Sequence, residues 1–272
     1  MAAQIKWFEK SKCDLENVDC DIVITDAVAY NNGQEFANMI RDRKNYTAWM
    51  TTDSTDAANT QIDVSLGDPR SIDTILLLGQ NFKSYTIQYK NGIGSYQNFS
   101  TTINPTTNTL EHKYHTFTAV NATDIRIIIL GCMVVNDDKI LKQLIITKSI
   151  GAFTGWPQIT SPKIDTQRKS VKMLSGKLRI IEGLESFSCS LDVKAWRIQD
   201  DIDILETIYF KREGVLMWIQ ANDANQFFLD LKGYRKDDIY LVRPTDNWEP
   251  LLLSGVYVNP IKVSMALAEV IS

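Results

Sequence analysis

This sequence predicts a mainly β protein of two domains. An N-terminal jelly-roll β-sandwich is followed by a β-sandwich or split barrel carrying one α-helix at about 200–213. Three observations lead there. Short apolar–polar alternations recur along the chain with Asn, Gly and Pro between them, the pattern of half-buried strands joined by turns. Gly151, Gly155, Pro157 and Pro162 cluster near the middle and break the chain there. Only the stretch 200–213 holds a helical period over several turns. With 272 residues, two cores of roughly 100–150 residues each are the natural division, and the Gly/Pro cluster sets it at 1–150 and 151–272.

In the first half, Gln61-Ile-Asp-Val-Ser-Leu alternates, Gly67-Asp-Pro-Arg turns, and Ser71–Leu78 is apolar enough to be buried on both faces. Tyr85–Tyr89 alternates again before the turn signal Asn91-Gly92. Thr123–Leu130 and Leu141–Thr147 complete the set, with one short helix expected near Glu35–Arg41. Such closely spaced strands suit a sandwich or jelly roll.

In the second half, Phe187, Cys189, Leu191 and Val193 fall on one strand face. From Asp200 the period changes, and Ile204, Leu205, Ile208 and Tyr209 share a helical face. Acids at its start and Lys211 and Arg212 at its end complement the helix dipole, and Gly214 is a terminator. Strands resume at Val215–Gln220, Gln226–Leu231, Asp238–Val242, Leu251–Val258 and from Ile261 onward.

Composition narrows the function. The net charge is −4, split about −3 and −1 between the halves, so neither half is a basic footprint for nucleic acid. No apolar run approaches the roughly 18 residues of a membrane span. The start lacks the basic-then-apolar pattern of a secretory signal. Four cysteines, two of them (Cys132 and Cys189) among apolar neighbours, are expected to be reduced. These readings point to synthesis in a cytoplasm.

From about residue 20 to 148 the order of features resembles the discoidin (coagulation factor 5/8 type C) family of galactose-binding-like domains. The carrying segments are Asn45–Trp49, Ile62–Gly67, Ile72–Ile75, Tyr85–Tyr89, Tyr96–Phe99, Asp124–Ile127 and Leu141–Thr147. The resemblance implies a jelly roll that binds sugars, lipids or proteins through loops at one end. The matching loops are Tyr30–Gly33, Met50–Thr60 and Gln80–Lys83, where Tyr30, Asn31, Asn32, Asn81, Phe82 and Lys83 offer polar and aromatic side chains suited to hydrogen bonding to and stacking on a sugar. The plainer reading makes the asparagines turn formers and the aromatics sandwich residues. Some family members hold a structural calcium, and the matching oxygens are those of Asp42, Asn45 and Thr47. Arg41, Arg43 and Lys44 place three cations beside them, and Gln143 stands where a Glu belongs. The expectation is therefore no bound metal and no cofactor.

The second half resembles, on fewer features, the β-sandwich module of distal-tail and tail-tube (hub) proteins of long-tailed phages. Its strand–helix–strand order, 200–213, Gly233–Tyr240 and the closing segments after Gly255 carry that resemblance.

Chemistry-bearing motifs are scarce. His112 and His115 lack a nearby Cys or acidic cluster of zinc-site spacing and read as solvated loop residues. No nucleophile elbow, phosphate loop or dinucleotide fingerprint occurs. Trp49, Trp196 and Trp218 read as core, whereas Trp156 and Trp248 sit beside prolines in expected loops and suit partner contacts. The resulting expectation is a non-enzymatic structural virion protein of a phage tail (tail tip, distal tail or baseplate). It would form a homo-oligomeric ring or trimer with other tail proteins and present a module directed at host-surface glycan, with no nucleic acid and no membrane insertion. The alternative is a stand-alone lectin-like carbohydrate-binding protein.

Overall fold

The structure is a computed structural model. It describes residues 4–25, 34–43, 47–51, 59–153, 158–172, 178–195, 199–211, 213–220, 239–246, 251–252 and 261–269. The chain divides into two compact units, one of residues 11–149 and one of residues 1–10 with 150–272. β1 (Gln4–Glu9) opens the chain and pairs antiparallel with a strand more than 200 residues later, Trp7 facing Met217. The first ten residues, assigned by sequence to the N-terminal domain, therefore belong to the other unit. The reason is burial: Ile5, Trp7 and Phe8 are inaccessible to solvent or nearly so, and that apolar surface is satisfied only in the distant sheet.

The contiguous unit starts with β2 (Asp21–Thr25), α1 (Gln34–Asn38) with a 3₁₀ turn at Met39–Arg41, and β3 (Trp49–Met50). Then come β4 (Thr60–Leu78), β5 (Phe82–Lys90), β6 (Gln97–Ile103), β7 (Lys113–Cys132), β8 (Ile140–Leu141) and β9 (Gln143–Thr147). The two strands expected around the Gly67 turn are one long strand, β4, with a corner in it. Gly67 makes the corner with φ +75°, and a Cβ there would lie 2.8 Å from that of Asp19, so the position needs glycine.

Before the corner β4 pairs with β2 and with residues 124–129 of β7. After it, β4 pairs with residues 113–122 of β7 and with β9. β5 and β6 extend the first stretch. Two long strands thus serve both faces of a sandwich, filled by Ile62, Val64, Ile72, Ile75, Ile127 and Ile146 among others. Full burial of each stabilises by about 1.5–3 kcal/mol. Asp63 and Arg126 are register partners joined by bonds of 2.8 and 3.1 Å, and the Tyr96 ring lies 3.8 Å from the guanidinium. Three of the segments that carry the family resemblance meet there.

The second unit adds β10 (Ser149–Ala152), β11 (Gln158–Lys172), β12 (Leu178–Ala195) and α2 (Gln199–Phe210). It ends with β13 (Val215–Gln220), β14 (Ile239–Pro244), β15 (Leu251–Leu252) and β16 (Ile261–Glu269). The sheet order is β10-β1-β13-β14-β16-β12-β11, with β15 on β16. Ile204, Leu205 and Ile208 of α2 join a core with Trp7, Phe153, Phe187, Leu191 and Met265. The helix stops three residues short of the expected 213. Gly214, at φ +85°, turns the chain into β13, donating its N–H to the Lys211 carbonyl. The strand expected at 226–231 lies outside the described residues. Among the described residues, no helix is long and apolar enough to cross a membrane.

Candidate ligand-binding end

Strand register decides which loops of the contiguous unit come together. Thr25 faces Gln61, Thr60 faces Ile129, Met50 faces Ile140, Phe82 faces Cys132 and Leu78 faces Gln143. The residues flanking 26–33 and 52–58, together with the turns 79–81 and 133–139, therefore sit at one end of the sandwich. These are the loops that the sequence nominated, joined by one it did not, 133–139.

Among the nominated residues, Asn81 works as a clasp. Its Nδ2 donates to the Asp138 carbonyl at 2.6 Å and its Oδ1 accepts from the Ile140 N–H at 2.8 Å. Its own N–H donates to the Ile140 carbonyl, and its carbonyl accepts from the Met133 N–H. One donor and one acceptor of its side chain fasten the 133–140 segment. Phe82 is wholly buried, edge-on to Tyr85 with ring centroids 6.1 Å apart. As a stacking platform for sugar it is corrected to a core residue, because the start of β5 aims it into the sandwich. Lys83 is exposed. Tyr30, Asn31 and Asn32 lie outside the described residues, as do Trp156 and Trp248.

Three further residues hold this end together: Gln80, which opens a nominated loop, and Asn108 and Lys139, which were not singled out. Gln80 is buried, and its side chain reaches the Leu110 carbonyl and the Phe82 N–H. Asn108 donates from Nδ2 to the carbonyls of Phe82 and Leu110. Lys139 is fully buried; its Nζ donates to Thr60 Oγ1 at 2.9 Å and its N–H to Thr51 Oγ1 at 2.8 Å. It ties both flanks of 52–58 to the 133–139 turn. Asn108 follows a Pro-Thr-Thr turn and was findable from that; nothing in sequence marks a lysine for burial, since lysine is rarely buried. Exposed around this end are Met50, Leu110, Val134 and Val135, the two valines at 64%. With Lys83 they offer apolar contact and one cation to a ligand.

The calcium candidates are partly brought together. Thr47 Oγ1 donates to the Asp42 carboxylate at 2.9 Å, and Asn45 lies outside the described residues. Arg41 turns away to Asn38 and the Cys20 carbonyl, and Arg43 to Asp14 and Glu16. Among the described residues, one carboxylate and one hydroxyl of the candidate set meet here. No group of three or more His, Cys, Asp or Glu among the described residues could hold a metal.

His112 lies in the bend before β7, partly buried, and only His115 departs from the solvated loop expected. His112 Nδ1 accepts from the Gly79 N–H at 3.1 Å. His115 lies in β7, its Nε2 2.9 Å from the Tyr85 hydroxyl. Burial, with a smaller effect of Lys113, lowers the His115 pKa to about 4, and burial raises that of Tyr85. Both are neutral structural partners. The four cysteines are buried thiols outside any disulfide, and burial lifts the Cys20 and Cys189 thiols to about 12.

Residues 24–140 match the family model of the F5/8 type C domain. The N-terminal unit is an F5/8 type C domain. The matched span lies inside the contiguous unit and runs from the end of β2 through β7 to β8. Among solved structures, the chain is similar to chitosan-binding module 1 of a chitosanase/glucanase from Paenibacillus sp. IK-5, at 22% identity over 51% of this chain and 98% of that one, TM-score 0.40. It is also similar to the family 32 carbohydrate-binding module of C. perfringens NanJ in complex with galactose, at 20% identity over 47% and 93%, TM-score 0.38. Chitosan-binding module 2 from the same Paenibacillus enzyme, in complex with chitotriose, gives 22% identity over 46% and 95%, TM-score 0.38. No curated protein matches the chain.

Proposed function

We propose that the chain is a non-catalytic binding and assembly protein whose F5/8 type C domain takes a glycan at its loop end. One observation carries this: register and side-chain clasps gather the flanks of 26–33 and 52–58 with the turns 79–81 and 133–139 at a single end. That is the end the family resemblance assigns to binding. The exposed Val134 and Val135 suit the apolar face of a sugar ring, and Lys83 suits its hydroxyls. A glycan array probed with the full chain, followed by calorimetric titration, tests it. The expected result is retention of at least one glycan, weakened about tenfold by Val134→Asp with Val135→Asp at an unchanged unfolding midpoint. A blank array, or binding indifferent to those substitutions, would refute it.

The setting we infer is a phage tail tip, distal tail or baseplate, in which the second unit supplies contacts between copies and with other tail proteins. Its strand–helix–strand order and the long β11–β12 pair favour an assembly module over a second recognition domain. Light scattering and negative-stain microscopy should show rings or trimers; a monomer that no tail protein recruits would leave the stand-alone lectin.

A further inference from the structure

The hairpin that joins β5 to β6 turns at the end of the sandwich away from the loop end. β5 starts at Phe82 beside those loops and runs to Lys90, where Lys90 faces Asp124 and Tyr89 faces Gln97. The tip reads Asn91-Gly92-Ile93-Gly94-Ser95, all of it exposed. Of the two Asn-Gly steps in the chain, the other, Asn32-Gly33, lies outside the described residues. An asparagine amide is labile where the next backbone nitrogen can reach it, and glycine, with no Cβ, shields that nitrogen least. Gly92 is open in this sense. Its φ is +66°, and among the described residues no atom beyond its chain neighbours lies within 4 Å of the place a Cβ would take.

The partner of that nitrogen sets this step apart. The Gly92 N–H donates to Thr123 Oγ1 at 3.0 Å. A hydroxyl has one proton to give and two lone pairs to accept with. Two acceptors stand within reach of the Thr123 proton, the Asp124 carboxylate at 2.6 Å and the Lys90 carbonyl at 3.2 Å. The nearer and charged one takes it. Amide nitrogen, hydroxyl and carboxylate thus form one hydrogen-bonded chain. Lys90 Nζ, 3.1 Å from the same Asp124 oxygen, fixes that carboxylate in place. Tyr96 lies under the Lys90 and Arg126 cations, and Asp63 holds Arg126.

We propose that Asn91-Gly92 is a self-modifying site, at which Thr123 and Asp124 relay a proton away from the Gly92 nitrogen as it attacks the Asn91 side chain. The Gly92 N–Asn91 Cγ bond forms, the Cγ–Nδ2 bond breaks, and ammonia leaves with the relayed proton. Water then opens the five-membered imide. Cleavage of the new N–Cγ bond leaves a carboxylate on an unaltered main chain. Cleavage at the Asn91 carbonyl carbon leaves an isoaspartyl linkage, with one more methylene in the main chain. The co-reactant is water alone. Both products add a negative charge beside the Lys90–Asp124 pair, so charge at the tip rises irreversibly with the age of each copy. The site is independent of the glycan and assembly readings.

The test is incubation of the full chain at neutral pH, read by peptide mass mapping and by isoaspartyl methyltransferase labelling. Trypsin releases 91–113, in which Asn98, Asn104 and Asn108 serve as internal controls. Asn91 should react while those three persist, and faster than in a synthetic peptide of residues 86–100. Thr123→Val should slow it about tenfold or more, and Thr123→Ser should keep it. Asp124→Asn should slow it too and change its pH profile. The wild-type rate should stay level across neutral pH, whereas that of the variant should rise in proportion to hydroxide. Circular dichroism checks folding, and if either variant misfolds the wild-type profile decides alone. Asn91 intact after the peptide has reacted, an equal or faster reaction in Thr123→Val, or a wild-type rate that follows hydroxide would each overturn the proposal. A faster reaction in Thr123→Val would mean that the hydroxyl restrains the nitrogen instead of relaying its proton.

Discussion

The two units close their chains in opposite ways. The F5/8 type C domain is contiguous, and its ends are stitched together where the Lys12 N–H donates to the Ile146 carbonyl and Ser11 Oγ meets Ile146. The other unit is interrupted: β1 and β10 are neighbours in one sheet, yet the whole first domain is spliced between them. The jelly roll is thus an insertion, and the sheet that receives it depends on a strand from the far end of the chain. Removing residues 1–10 should therefore have the largest effect. It strips Ile5 and Trp7 from the second core and removes the buried Phe8, and losing a buried Trp alone costs about 3–5 kcal/mol of a domain stability of only about 5–15 kcal/mol. Hydrogen exchange should show β13 and β14 losing protection while β4 and β7 keep theirs. Protection retained in β13 would mean that the strand is dispensable and the insertion reading wrong.

Within the F5/8 type C domain the same contrast recurs at adjacent residues, one committed to the core and one to the loop end. Phe82→Ala should destabilise the domain by about 3–5 kcal/mol. Asn81→Ala removes two side-chain bonds to the 133–140 segment and should cost about 2–3 kcal/mol. Urea titration followed by a probe confined to this domain measures both. If Asn81→Ala were neutral, the clasp would not organise the loop end.

How much of this was legible follows from where each signal sits. Strand alternation exposed β5, β13 and the inward face of β12, because burial on one face repeats every second residue within a single segment. The period of 3.6 exposed α2 for the same reason. Asp63 and Arg126 were legible as pieces of two motifs but not as a pair, since their meeting is a matter of register. The membership of β1 had no local signature: Gln4–Glu9 contains one short apolar stretch, and only a partner more than 200 residues away explains it. At the candidate site the loop positions were readable from turn residues. Whether a polar side chain there faces ligand or fastens the loop was not, and Asn81 and Lys139 proved to be fasteners.

His115 offers a finer way to separate the units, because pH should act through it on one of them. Its pKa is about 4 in the folded domain against the ordinary 6.5. As pH falls, the unfolded chain takes up the proton first. The neutral His115 contribution is therefore complete above about 6.5, is lost between 6.5 and 4, and changes no further below. The ceiling is about 3 kcal/mol at 1.36 kcal/mol per unit, and residual solvation of the ring reduces the expected loss to about 1–2 kcal/mol. The difference between wild type and His115→Gln, measured by denaturation at pH 7 and pH 4.5, isolates it from the carboxylates. An equal acid response in both proteins would show that the Tyr85–His115 pair carries no such penalty.

The smallest change in stability should come from Lys83→Ala, and that makes it the sharpest probe of what the loop end does. Lys83 is exposed and its carbonyl, which accepts from the Asn108 N–H, survives the substitution, so the unfolding midpoint should move by no more than about 0.5 kcal/mol. A charge-assisted bond from its ammonium to a sugar hydroxyl is worth about 1.5–3 kcal/mol, so glycan affinity should fall about tenfold. Asn81→Ala should show the reverse emphasis, because its side chain bonds the backbone of 133–140 and its loss loosens that segment. If Lys83→Ala leaves affinity unchanged while Asn81→Ala lowers it, binding depends on the arrangement of the loops rather than on this cation. The recognising groups then include those that Asn81 holds in place, Val134 and Val135 first.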